Sequence, residues 1–577
     1  MARGEIQAAK VLHPKKAFEF KDAESIREYL IKTIQKFRNE QNQGKVIPYE
    51  SSAILDESNI VTLSDGAMGG KGRGLAFINS LIYNLDFSQY LPDINLKTPR
   101  TAIIGIDEFE YFMDNNHLHF VTTEPIPFEE IKWRFLHSKL TSTLIKRLKE
   151  MLKLIKKPLA IRSSGLFEDS LMQPFAGIFE TYLLPNNHPD INVRLQQVMD
   201  SIKLVYASVY SEVARGYFEA VHYKVEEEKM AIVIQEVVGN KYGDMFYPHV
   251  SGVAQSYNYY PFAHMKPEEG FVVAAFGLGK YVVEGEKAYR FSPKYPNHEI
   301  NSPKDQVQNS QTEFYAVDLN KHDLNLLEGD TAGLIRADIY EAEKHGTLKH
   351  CVSVYDPENN TINAGLDKPG PRIVNFANIL KYSYIPLAKS IDVVLDMVKE
   401  AMGSPVEIEF AIDLNRDANL KSSFYLLQIK PMIGNIADYD VKMDEFREEE
   451  IIMYSEKGMG NGLVDTIHDV VYVDNSKFDK SKTEEMVAEI EKINIEMNKA
   501  GKKYILIGPG RWGTRDRWIG IPVEWPQISA AKIIVETSLE GYPLDASSGS
   551  HFFHNVTSAK CRIFLGSAGK IGQLFEL

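Results

Sequence analysis

"KPLAIRSSGLFEDSLMQPFAGIFETYLLPN", residues 157–186, decides how this chain is read. A short apolar run, Pro158 to Ile161, ends on Arg162, Ser163 and Ser164, and small, polar and acidic residues come next. Such a bounded run predicts a buried strand. A strand end that delivers a guanidinium fork and two hydroxyls into a loop suits an oxyanion, since arginine grips phosphate oxygens in pairs. On its own the same arginine equally suits a surface ion pair. The rest of the sequence has to choose.

At 577 residues the chain exceeds a single core, so several domains are expected. Lys and Arg number 65 against 79 Asp and Glu, a net charge of −14 with no long basic run. Nonspecific nucleic-acid binding, which needs clustered cations against phosphates, is not expected. No apolar stretch approaches the roughly 20 residues that span a bilayer. The opening "MARGEIQAAKVLHPKKAFEF" lacks a signal-peptide core and reads as a continuation of something upstream. Cys351 and Cys561 lie far apart without metal-ligand spacing. Together these features favour a cytoplasmic protein.

Periodicity sketches the organisation. Asp22 to Gln43 predicts an amphipathic helix, and "DGAMGGKGRGLAFINSLIYN" a glycine-rich turn followed by a helix. Arg194 to Ala220 reads as one long helix, and "NILKYSYIPLAKSIDVVLDMVKEAMG" as another helical segment. "KMAIVIQEVVG" and "GFVVAAFGLGKYVVEGEKAYRFS" suit strands of a mixed sheet. Ser302 to Gly329 reads as a polar loop or insertion, and the charged run Asp438 to Glu450 as a linker. The expected class is α+β with mixed α/β character.

Four distant stretches fit one task. In Gly69-Gly70-Lys71-Gly72-Arg73-Gly74, glycines let backbone N–H groups approach an anion while Lys71 adds a point charge. Arg162 and Ser163 are the second. In "VEIEFAID", Glu407 and Glu409 share one strand face; such a pair lines a solvated face or holds a divalent cation. In "YLLQIKP", Gln428 and Lys430 point the same way. Each piece has an ordinary structural reading, and their joint order fits a nucleotide site.

These stretches, "GGKGRGLAFI", the opening block, "MAIVIQEVV", "AAFGLGKYVVEGE" and "PVEIEFAID…FYLLQIKPM", stand in the order found in the nucleotide-binding portion of the phosphoenolpyruvate synthase and pyruvate phosphate dikinase family. The resemblance runs from about Ile60 to Ile433. It implies an ATP-grasp fold that clasps ATP between two subdomains, divided here as 60–229 and 230–437. An amino-terminal helical extension (1–59) would precede them, and a smaller α/β module (438–577) would come after. By the same match Lys71 and Arg162 would contact phosphates, with Gly70, Ser163, Gly277 and Gly279 among the nucleotide-binding residues. Glu180 would sit near the phosphate site and Gln235 near the adenosine. Glu409 and Gln428 would hold Mg²⁺. Lys430 stands where the family usually has arginine, and Lys280 where an acid is common.

The resemblance also marks what is missing. Family members pass the phosphoryl group to a histidine on a swivelling domain, in a Thr-Ser-His-Ala-Ala type segment with no counterpart here. The stretch beyond Met432 is too short for that domain plus a barrel of about 250 residues. "GMGNGLVDTIHDVVYVD" faintly resembles the start of the swivelling domain. "YILIGPGRWGTRDRWIGIPVEWPQ" carries Trp512, Trp518 and Trp525 beside Arg511, Arg515 and Arg517, a tight turn over a small core or an anion site. His551, in "SSGSHFFHN", is a candidate phosphoacceptor. The expectation is an ATP- and Mg²⁺-dependent phosphotransferase of the dikinase type, serving a histidine in this chain or on a separate phosphocarrier. A catalytically silent ATP sensor is the alternative.

Overall fold

A computed structural model describes residues 43–432, apart from 51–52, 86, 167, 169–176, 222, 262–264 and 299–301. It also describes 21–22, 24–25, 27–29, 447, 458–459, 464–538, 550–552, 555 and 562–567. Most of the stretch expected to form the amino-terminal helix, nearly all of the run expected to be a linker, His554 and Cys561 lie outside these.

Two six-stranded mixed sheets dominate. The first runs Val46–Pro48, Ile60–Thr62, Thr101–Ile104, Met230–Glu236, Leu159–Gly165, Thr181–Leu184. Its central Met230–Glu236 strand is buried at every position, as a strand covered on both faces requires. The Ile106–Asn115, Phe128–His137, Ser142–Leu154 and Ile191–Ser208 helices contribute Phe112, Phe135, Leu148 and Val205 to its core. The second sheet runs Tyr289–Phe291, Phe271–Ala275, Val250–Gln255, Val406–Asp413, Ser422–Pro431, Ile94–Lys97. The Leu387–Met402 helix lays Ile391, Val394 and Val398 into its core. Each sheet draws strands from both sides of residue 230.

The carboxy-terminal module is a five-stranded sheet, Gly458–Met459, Arg562–Ser567, Ala531–Ser538, Tyr504–Pro509, Asp469–Tyr472, with the Thr483–Lys499 helix. All its pairings are parallel except the one between Gly458–Met459 and Arg562–Ser567. Its Trp512, Trp525, Leu506 and Ile534 belong to the same buried cluster as the first sheet's core. Trp512 and Trp525 are therefore core residues, whereas Trp518 is exposed under Arg517, 5.0 Å from its ring centre.

Several sequence expectations are corrected. Arg194 to Ala220 is two helices, Ile191–Ser208 and Glu212–Ala220, because the Ser211 hydroxyl caps the second by accepting from the Ala214 N–H. The segment before Pro386 forms a separate short helix, Ala377–Leu380. Proline disfavours helical geometry in its predecessor. The polar 302–329 region contains the Pro303–Gln308 helix and the Glu313–Asp318 strand, whose Phe314 and Ala316 are buried. Within the expected strand run after Phe271, Lys280–Val283 is a short helix. The glycine run is no free turn, since the Gly69–Asn84 helix begins on it.

That start requires glycine. Gly69 has φ +67°, and a Cβ there would lie 1.8 Å from the Ser164 carbonyl oxygen. Gly69→Ala is expected to cost roughly 2–4 kcal/mol through strain and displacement. Thermal denaturation reads it; an unchanged midpoint would show that the close approach is dispensable.

Candidate functional site

The arginine of the opening stretch bridges the two sheets. Arg162 leaves the Leu159–Gly165 strand half-buried between buried neighbours. Its Nη1 donates to Gln235 Oε1 at 3.0 Å and to the Leu427 carbonyl at 3.4 Å. Its Nη2 donates to Gln428 Oε1 and lies 3.3 Å from Glu409 Oε2. Gln235 is itself held by Thr101, to which its Nε2 donates at 3.2 Å.

Across the cleft, Glu409 pairs in register with Gln428, and Glu407 with Lys430. Strand alternation brings all four side chains to one face, as the spacing predicts. Lys430 Nζ, buried, donates to Glu409 Oε1 at 2.6 Å and lies 3.7 Å from Glu407 Oε1. Gln255 Nε2 donates to Glu407 Oε2 at 2.7 Å. Burial pushes the Glu409 carboxyl up, but Lys430 and Arg162 outweigh it, aided by His551, and hold it well below the ordinary carboxylate range.

A carboxyl depressed in this way adds stability above the ordinary carboxylate pKa and loses it as pH falls through that range. Glu409→Gln is expected to lower the thermal midpoint near neutrality and to flatten its decline below about pH 5. An equally steep acid limb in the variant would contradict the ionised assignment.

A second ion pair lies beside the first. Lys71 Nζ donates to Glu168 Oε1 and, at 3.3 Å, to Ser163 Oγ. Glu168 is 1% exposed and also accepts the Gly165 N–H at 3.0 Å. The Ser164 hydroxyl accepts from the Gly72 N–H at 3.0 Å and donates to the Met68 carbonyl, tying the helix start to the strand end.

The two ion-paired clusters border one cavity of about 960 Å³ whose walls come from both sheets and the carboxy-terminal module. Lys71, Arg162, Glu180, Gln235, Gly279, Glu409, Gln428, Lys430 and His551 are among its lining residues; Gly70, Ser163 and Gly277 are not. Gly70 is buried in the first turn of its helix, and Ser163 acts on Lys71. Gly277 holds φ +84° and accepts from the Ser251 hydroxyl at 2.7 Å. Burial raises the pKa of Glu180, although the Tyr182 hydroxyl donates to it. His551 stands against Gly177, where a Cβ would come within 2.2 Å of the imidazole Nδ1.

Sequence reasoning missed Glu168, Gln255 and Glu284 as members of this network. An acid five residues beyond Ser163 was the available signal for Glu168, and the four-residue spacing to Lys280 the one for Glu284; the partner of Gln255 lies 152 residues away and left none. It also left Lys280 without a role. Lys280 donates to Asp330 and lies 2.6 Å from Glu284.

The AMP/ATP-binding domain model of pyruvate phosphate dikinase matches residues 66–451. This chain belongs to that family. Lys71, Arg162, Glu180, Gln235, Gly279, Glu409, Gln428 and Lys430 fall within the matched range, and His551 falls outside it. A phosphoenolpyruvate synthase of Deinococcus radiodurans is 34% identical over 134 residues, 22% of this chain and 14% of that protein. YvkC of Bacillus subtilis, described as an uncharacterized phosphotransferase, is 30% identical over 194 residues, 33% of this chain and 20% of the relative. A phosphoenolpyruvate synthase of Aeropyrum pernix is 25% identical over 283 residues, 47% and 28% respectively. The matches thus span less than a third of each of these relatives. No helix among the described residues is long and apolar enough to cross a membrane.

Proposed function

We propose that the chain binds Mg·ATP in the cleft between its two large sheets, in ATP-grasp manner, and transfers a phosphoryl group to a histidine. One observation carries this reading: Arg162, Lys71 and Lys430, from three separate elements, meet Glu409 and Gln428 in a single cavity. Polyphosphate oxygens would take the donors that Glu168 and Glu409 now hold, and Gln235 would face the adenosine. The donor set suits Mg²⁺, with one ionised carboxylate beside an amide oxygen, Glu409 and Gln428, and phosphates to complete the shell. Mg²⁺ there would neutralise developing phosphate charge.

His551 is the acceptor proposed within this chain: its imidazole nitrogen would form the N–P bond to the β-phosphorus as the bond from that phosphorus to the AMP oxygen breaks, and a water molecule would then cleave off the γ-phosphate, so that AMP and phosphate leave and one phosphoryl group stays on the ring. A separate histidine-bearing phosphocarrier is the other acceptor, and the reaction would be a partial one of the phosphoenolpyruvate synthase type, in the cytoplasm. A silent ATP sensor is the second reading, favoured by the carboxy-terminal module forming part of the cavity wall. Incubation with Mg²⁺ and ATP labelled at the β or γ position separates them. Acid-labile phosphoprotein together with AMP supports the transferase, whereas tight binding without turnover, even with a histidine carrier added, supports the sensor.

A further inference from the structure

The carboxy-terminal module touches the cleft through a loop outside the matched domain. Arg511 Nη1 donates to the Gly285 carbonyl at 2.9 Å, and the Thr514 hydroxyl donates to the same oxygen at 3.0 Å. The Arg515 N–H donates to the Glu284 carbonyl at 3.3 Å, and its guanidinium lies 2.7 Å from Glu284 Oε1. Glu284 is 9% exposed and is also the partner of Lys280, at 2.6 Å. Lys280, Glu284, Asp330 and Arg515 all line the cavity.

One buried carboxylate thus divides its attraction between a lysine of the nucleotide-binding domain and an arginine of the module. Lys280 faces two acids, Glu284 and Asp330. Without Arg515 the only cation facing Glu284 and Asp330 in this group would be Lys280, with the Tyr315 hydroxyl donating to Glu284 at 3.2 Å, and that wall of the cleft would be one charge more negative. A polyanion would meet a weaker field there.

We propose that Arg515 is a positioning residue of the nucleotide site: by occupying Glu284 it leaves the Lys280 charge available to the polyphosphate. The module thereby completes the site electrostatically. This rests on the Mg·ATP reading above and extends it to a part of the chain that the family match does not reach. Lys280, standing where an acid is common, is what gives Arg515 something to act through.

Isothermal titration of the full chain with Mg·ATP and, separately, with adenosine tests this. Arg515 is 58% exposed in its side chain, so its replacement spares the core. Lys280→Met and Arg515→Ala are each expected to raise the Mg·ATP Kd about fivefold, the scale of one partly screened charge. Arg515→Lys should largely preserve affinity. Because Arg515 acts through Lys280, the double variant should stay within about twofold of Lys280→Met, a non-additivity expected of coupled sites. Adenosine, being uncharged, should bind all variants alike. Unchanged Mg·ATP affinity in Arg515→Ala, additive losses in the double variant, or an equal loss for adenosine would each overturn the proposal while leaving the nucleotide site standing. Failure of the wild-type chain to bind Mg·ATP would overturn both.

Discussion

Arg162→Ala is expected to abolish the heat protection that Mg·ATP gives the wild-type protein. The guanidinium reaches Gln235 on one sheet and Leu427, Gln428 and Glu409 on the other, so one side chain spans the cleft at the proposed phosphate position. Removing one member of a buried, hydrogen-bonded charge set costs roughly 2–5 kcal/mol, which lowers nucleotide affinity by about 30-fold to several thousand-fold. Arg162→Lys keeps the charge but loses the fork, so an intermediate loss is expected. Glu409→Ala should act as strongly through the metal, and its loss should depend on Mg²⁺ concentration. Thermal midpoints with and without Mg·ATP measure both. Full protection in either variant would remove that residue from the site.

His551→Ala is expected to reduce acid-labile phosphoprotein to background while changing Mg·ATP affinity by no more than about threefold, since the residue is proposed as acceptor and not as a phosphate ligand. Its position supports this split. The ring lines the cavity and stands against Gly177. Gly177 has φ +66°, and a side chain there would push into the imidazole. Gly177→Ala should therefore lower labelling too, by displacing His551. Undiminished label in His551→Ala would direct the search to another acceptor.

The parts of this site legible in the sequence are those fixed by local rules. Strand alternation placed Glu407 with Glu409 and Gln428 with Lys430, and the register between the two strands keeps all four on one face. The break at Pro386 was likewise written locally, although the helical pattern on either side masked it. Pairings across long sequence separations were not legible. Nothing near Lys71 announces Glu168, 97 residues away, and nothing near Glu284 announces Arg515. The glycine run misled in a specific way. Six residues with four glycines read as a loop, yet the close approach to Ser164 turns them into the first turns of a helix. The module's tryptophans were half legible: Trp512 and Trp525 fill the core, while the arginines beside them serve the contact with Glu284 and Gly285, which only the folded chain brings together.

The most direct measurement is a crystal structure of the full chain with Mg²⁺ and a non-hydrolysable ATP analogue. Phosphate oxygens are expected within hydrogen-bond reach of Arg162 and Lys71, and the metal on Glu409 and Gln428. A nucleotide seated elsewhere, with the Arg162–Glu409 and Lys71–Glu168 pairs still closed, would contradict the proposed site.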